Sequence, residues 1–147
     1  MRLVIGSDHA GFSLKPMIME HLKKLGHDVV DIGCYDLSPV DFPDITRDVT
    51  AKVLSGEADR GILVCGTGVG ASIAANKVRG IRAAVCHDVH SAHQSVEHDD
   101  VNVMCIGAQI VGTWLACDLV EAFLGAVFST DEDFRRRVAK LREMDNV

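Results

Sequence analysis

Strand-length apolar runs alternate with segments of helical period along most of the chain, and this alternation limits the fold more than any other feature. Arg2–Gly6, Val29–Ile32, Gly61–Cys65, Ile81–Cys86 and Asn102–Ile106 read as strands. Leu14, Ile18, Leu22 and Leu25 repeat at helical spacing, and Gly26 supplies a stop. Further helices are expected over Asp44–Ser55, Ala71–Val78, Val89–Glu97 and Gly112–Leu124, with Gly33–Pro43 as a loop and Gly66–Gly70 as a glycine-rich turn. Gly61–Cys65 is apolar throughout, as strands buried on both faces tend to be. The β-α repetition predicts the α/β class: a parallel sheet with helices on both faces, joined by right-handed crossovers. Ligands of such sheets bind at the carboxyl ends of the strands. Those ends carry Ser7-Asp8-His9, Gly33-Cys34, Cys65-Gly66-Thr67, His87-Asp88 and Gly107, so reactive residues converge on one rim.

The length of 147 residues suits a single domain spanning 1–147. A net charge of −6 argues against a nucleic-acid backbone as partner, since that needs a basic face. It leaves room for a small anionic ligand at a local positive site. No apolar stretch is long enough to span a bilayer, and Met1–Gly6 runs straight into a strand pattern without a signal peptide, so a cytoplasmic protein is expected. The five cysteines form no C-x-x-C pair, and free thiols with no structural zinc are expected. Cys86, Cys105 and Cys117 read as buried small hydrophobes. The tail over residues 129–147 is expected to be a C-terminal helix. Phe134, Val138 and Leu141 form a narrow apolar stripe beside Arg135-Arg136-Arg137, for docking on its own domain or on a second subunit.

Chemistry concentrates in Cys65-Gly66-Thr67-Gly68-Val69-Gly70-Ala71-Ser72, which follows a buried strand and opens a helix. Closely spaced glycines let a ligand approach the backbone. The amides of a first helical turn and the helix dipole favour negative charge there. A thiol at the same place is expected to be activated as a thiolate. Base and oxyanion site together suit proton transfer between C1 and C2 of a sugar, where an enediolate oxygen must be held as charge develops. Thr67 adds a hydroxyl donor. Gly66-x-Gly68-x-x-Ala71 with Asp88 also satisfies a loose dinucleotide fingerprint, although it follows the third strand and no length remains for a catalytic domain. A second cluster, Gly6-Ser7-Asp8-His9-Ala10-Gly11, reads either as a sugar- or phosphate-binding pair or as an N-cap at Ser7 or Asp8. A third, His98-Asp99-Asp100-x-Asn102, offers a histidine able to shuttle protons in ring opening. His87, His90 and His93 lack the usual spacing and carboxylate of a helical metal site.

Taken together, Gly6–Gly11, Cys65–Gly70, Ser72-Ile73-Ala74-Ala75-Asn76-Lys77, Gly80-Ile81-Arg82-Ala83 and His98–Val103 resemble the type B ribose-5-phosphate isomerase family, which includes the galactose-6-phosphate isomerase subunits. The resemblance runs from Met1 to about Phe128. It implies a Rossmann-like three-layer sandwich with a five-stranded sheet, no metal or other cofactor, and a homodimer or dimer of dimers with shared active sites. It further implies Cys65 as the base and the Gly66, Gly68, Val69 and Gly70 backbone as the enediolate cradle. Thr67 and His98 would assist ring opening, Asp8, His9 and Asp99 would bind substrate, and Arg137 would grip the substrate phosphate. Ribose 5-phosphate to ribulose 5-phosphate is the expected conversion. Three positions depart from the family pattern: Asp99 stands for a frequent Asn, and Gln109 and Asp133 stand where arginines are common. Galactose 6-phosphate, a tetrose phosphate and an unphosphorylated sugar are the alternative substrates.

Overall fold

The computed structural model describes residues 1–146. Its strands are β1 (Arg2–Ser7), β2 (Asp28–Asp31), β3 (Arg60–Cys65), β4 (Ala83–Val85) and β5 (Val103–Gly107). Its helices are α1 (Lys15–Lys24), α2 (Phe42–Leu54), α3 (Val69–Asn76), α4 (Val89–Asp99), α5 (Thr113–Gly125) and α6 (Glu132–Met144). The strands form one parallel sheet in the order β2-β1-β3-β5-β4.

That order sorts the helices. The chain moves outward from β1 to β2, returns past β1 to β3, continues to β4 and steps back to β5. With right-handed crossovers, each reversal of direction sends the helix to the other face. Helices α2 and α3 accordingly pack together on one face, and α1, α4 and α5 on the other. Because strand side chains alternate, each central strand feeds both layers. Leu3, Ile5, Ile62, Val64, Met104 and Ile106 join Ile18, Leu119 and Phe123 in one core. Val4, Leu63, Cys65, Val103 and Cys105 join Val49, Ala71 and Ala75 in the other. The same parity turns Cys65 toward the α3 side.

The expected elements are all present, with shifted ends. Helix α2 begins at Phe42, inside the expected loop, because Pro43 suits a first helical turn. Helix α3 begins at Val69, so Val69 and Gly70 belong to its first turn. Strand β4 is shorter than Ile81–Cys86 because the Arg82 N–H donates to the Asn102 side chain at 2.8 Å, outside the regular ladder. The N-cap reading of Ser7 or Asp8 is corrected: Ser7 ends β1, and the Asp8 carboxylate accepts the Gly11 N–H at 3.0 Å in a turn before the helix. Cys86 and Cys105 are buried as expected, whereas Cys117 is partly exposed.

Candidate active site

The strands β1 and β3 lie side by side, yet the chain leaves them toward opposite faces, to α1 and α3. Divergence of this kind opens a crevice at the carboxyl end of a parallel sheet. Cys65 stands at its floor, 6% exposed, on the last residue of β3. Its sulfur accepts the Gly68 N–H at 2.9 Å. Gly68 reaches this position with φ of +81°, a left-handed conformation that a side chain would disfavour. Helix α3 starts at the next residue, so its first amides and the positive end of its dipole surround the same point. A donor on the sulfur and a helix start beside it favour negative charge at this junction.

Backbone packing holds the turn. Ala108 donates to the Cys65 carbonyl at 2.8 Å and Gln109 to the Gly66 carbonyl at 3.0 Å. Gly107 lies so close beneath that a β-carbon there would fall 2.6 Å from the Thr67 Cα. Thr67 itself is exposed, and its hydroxyl accepts the Val69 N–H at 3.4 Å. On the β1 side, Gly11 rests on the Val64 carbonyl, which brings the Asp8–Gly11 turn against the end of β3. Asp8 is 8% exposed, and its carboxylate is engaged in that turn. His9 Nδ1 accepts the Val40 N–H at 3.2 Å, leaving Nε2 as the free ring nitrogen. The structure thus gathers Asp8, His9, Cys65, Gly66, Thr67, Gly68, Val69 and Gly70 on one rim.

It does not gather His98, Asp99 and Arg137 with them. Helix α4 leaves the carboxyl rim after β4 and runs back across the sheet, so its last turn lies at the opposite, amino-terminal rim. There His98 stacks on Phe134 of α6 with ring centroids 3.8 Å apart. The Arg137 guanidinium lies 5.6 Å from the same Phe134 ring. Asp99 lines a cavity of about 520 Å³ together with Arg82, Ala84, Leu141 and Met144. Asp100 caps α4 and binds Arg82 and Arg142 at 2.8 and 2.9 Å. Among the departures from the family pattern, Asp133 pairs with Arg136 at 2.6 Å, and the Gln109 amide lies over Gly66. The apolar stripe of α6 docks on its own chain through Phe134 and the buried Val138.

Two residues at the cysteine rim escaped sequence reasoning as site residues. Phe42 fills the space a Gly70 side chain would need, at the mouth of the cradle. His87 Nε2 accepts the Gly107 N–H at 2.9 Å. The signal for His87 was its place just after a strand; Phe42 carried none beyond an aromatic before a proline. Among the described residues, no group of three or more His, Cys, Asp or Glu side chains is placed to hold a metal ion. Nor is any helix long and apolar enough to cross a membrane.

The sequence profile of the Ribose/Galactose Isomerase family matches residues 3–141. The chain belongs to this family. It is 46% identical over 127 residues to ribose-5-phosphate isomerase B of Escherichia coli, covering 86% of this chain and 85% of the relative. It is 39% identical to the galactose-6-phosphate isomerase subunit LacB of Clostridium acetobutylicum, covering 98% of this chain and 83% of that subunit. The structure of Clostridium thermocellum ribose-5-phosphate isomerase B superimposes with a TM-score of 0.96 at 47% identity, covering 99% and 98% of the two chains. The chain is therefore an aldose–ketose isomerase of sugar phosphates, and its sheet is the one this family builds.

Proposed function

We propose that the enzyme interconverts ribose 5-phosphate and ribulose 5-phosphate, working as a homodimer or dimer of dimers in which each active site takes residues from two subunits. The observation that carries the chemistry is the Cys65 sulfur held at 2.9 Å from the Gly68 N–H, at the strand-to-helix junction. In the aldose-to-ketose direction the Cys65 thiolate removes the C2 proton of the open-chain sugar. The negative charge moves to O1, where the backbone from Gly66 to Gly70 supplies donors. The O2 hydroxyl proton then passes to O1, the proton taken from C2 is delivered from the Cys65 thiol to C1, and the carbonyl forms at C2 as the thiolate is regenerated. Thr67 and His98 move protons during ring opening, and Asp8 and His9 bind sugar hydroxyls.

The sharing of sites is supported by the separation of the two residue sets. Cys65 lies at one rim, while His98, Asp99 and Arg137 lie at the other, so a second copy must bring its amino-terminal rim to the first copy's cysteine. Arg137, beside His98, is then the cation that meets the phosphate. Identity to ribose-5-phosphate isomerase B favours the five-carbon substrate.

In deuterated water, ribose 5-phosphate is expected to be converted with exchange at C2. Failure on a panel of four- to six-carbon sugar phosphates would end this reading. Cys65→Ala is expected to lower kcat by at least about 10³-fold with little change in fold. Mixing inactive Cys65→Ala subunits with inactive His98→Ala subunits is expected to restore turnover, because each mixed dimer regains one site with both native residues. No recovery from subunits shown to exchange would exclude sharing.

A further inference from the structure

The end of β4 leaves a backbone donor of β5 without its ladder partner. Cys86 N–H still donates to the Cys105 carbonyl at 3.1 Å, but β4 itself ends at Val85. Two residues further along β5, the Gly107 N–H is buried and needs an acceptor. The imidazole of His87 supplies it, with Nε2 at 2.9 Å. An accepting Nε2 means a neutral ring with its proton on Nδ1. Gly107 is also the residue pressed beneath Thr67 and Gly66, with room for no side chain, and it lies in register with Cys65 across β3 and β5.

We infer that His87 is a positioning residue for the isomerisation: its neutral ring holds Gly107, and Gly107 holds the Cys65–Gly68 turn at the height the enediolate requires. This rests on the function proposed above. Protonating the ring removes the acceptor and sets an N–H⁺ against the Gly107 N–H. The groups around it work in opposite senses. Burial lowers the pKa of His87 below the ordinary histidine value, and the adjacent Asp88 carboxylate partly offsets this. Hydrogen bonds from Ser91, its N–H at 2.7 Å, hold the Asp88 carboxylate below its ordinary value, and His90 and His87 add to this. From β3, Cys65 is the titratable group nearest Gly107 in the register. The ring is therefore neutral at neutral pH, and the strut fails on acidification.

The test uses full-length protein with ¹⁵N label. His87→Gln keeps an acceptor of similar reach that does not titrate, and His87→Ala removes it. In the wild type the Gly107 amide resonance is expected to move with an inflection below the ordinary histidine range, and in His87→Gln that inflection disappears. His87→Ala is expected to lower kcat about tenfold with KM little changed, as a displaced cradle would. His87→Gln is expected to restore most of the rate and to lose the matching acid inflection in kcat. A Gly107 amide that ignores pH, or titrates equally in His87→Gln, overturns the inference. So does wild-type kcat in His87→Ala, or a His87→Gln as impaired as the alanine variant. If His87→Ala does not fold, the glutamine variant and the amide titration decide alone. If the wild type turns over no sugar phosphate, the proposed function falls, while the Gly107 titration still reports whether the strut exists.

Discussion

The two rims of the sheet are built on different principles. At the carboxyl rim, the turn after β3 is held by main chain: Ala108 and Gln109 bond its carbonyls, Gly107 lies under it, and Gly11 rests beside it on Val64. At the amino-terminal rim, His98, Phe134 and Arg137 meet through side chains on two helices, with His98 and Phe134 half-buried and Arg137 exposed. A backbone cradle has almost no freedom to adjust, which suits donors that must be in place before charge develops. A side-chain surface can yield, which suits groups that meet a second subunit.

This contrast is sharpest under substitution. Gly107→Ala forces a β-carbon into the Thr67 backbone, where nothing flexible can give way. It is expected to cost about 3 kcal/mol of stability in urea denaturation and to abolish turnover even where the protein still folds. Tolerance of alanine there would show that the cradle is not rigid. Phe134→Ala removes the ring stacked on His98. The expected loss is about 1 kcal/mol of stability, with a larger effect on KM than that loss alone would cause and with Phe134→Tyr behaving as wild type. A greater stability loss at Phe134 than at Gly107 would reverse the comparison. Arg142→Ala breaks one of the two bonds to the Asp100 carboxylate, and that arginine is largely exposed. Its effect on stability, read by thermal denaturation, is expected to be the smallest, below about 0.5 kcal/mol, and further reduced by salt.

Local pattern carried most of the fold. Continuous apolar strands flanked by glycines and helical repeats show parallel strands and their number, because burial on both faces leaves a composition visible along the chain. The cradle was legible for the same reason: Cys65, Thr67 and the glycines are neighbours in sequence, and a strand-to-helix turn needs only its own residues to form. Element ends were less so. Phe42 joins a helix because Pro43 permits it, and β4 is short because Asn102, twenty residues after Arg82, takes the Arg82 N–H.

By itself the sequence determined the α/β class, the location of the thiol at a helix start, and the family pattern that ties them to sugar isomerisation. Tertiary structure alone decided the strand order, the crevice between β1 and β3, and the assignment of Cys65 and His98 to opposite rims. It alone brought His87 to Gly107, Phe42 to Gly70 and Phe134 to His98. Local preferences act over a few residues, whereas strand pairing and helix direction are set by which distant surfaces bury one another, and no local pattern records that choice.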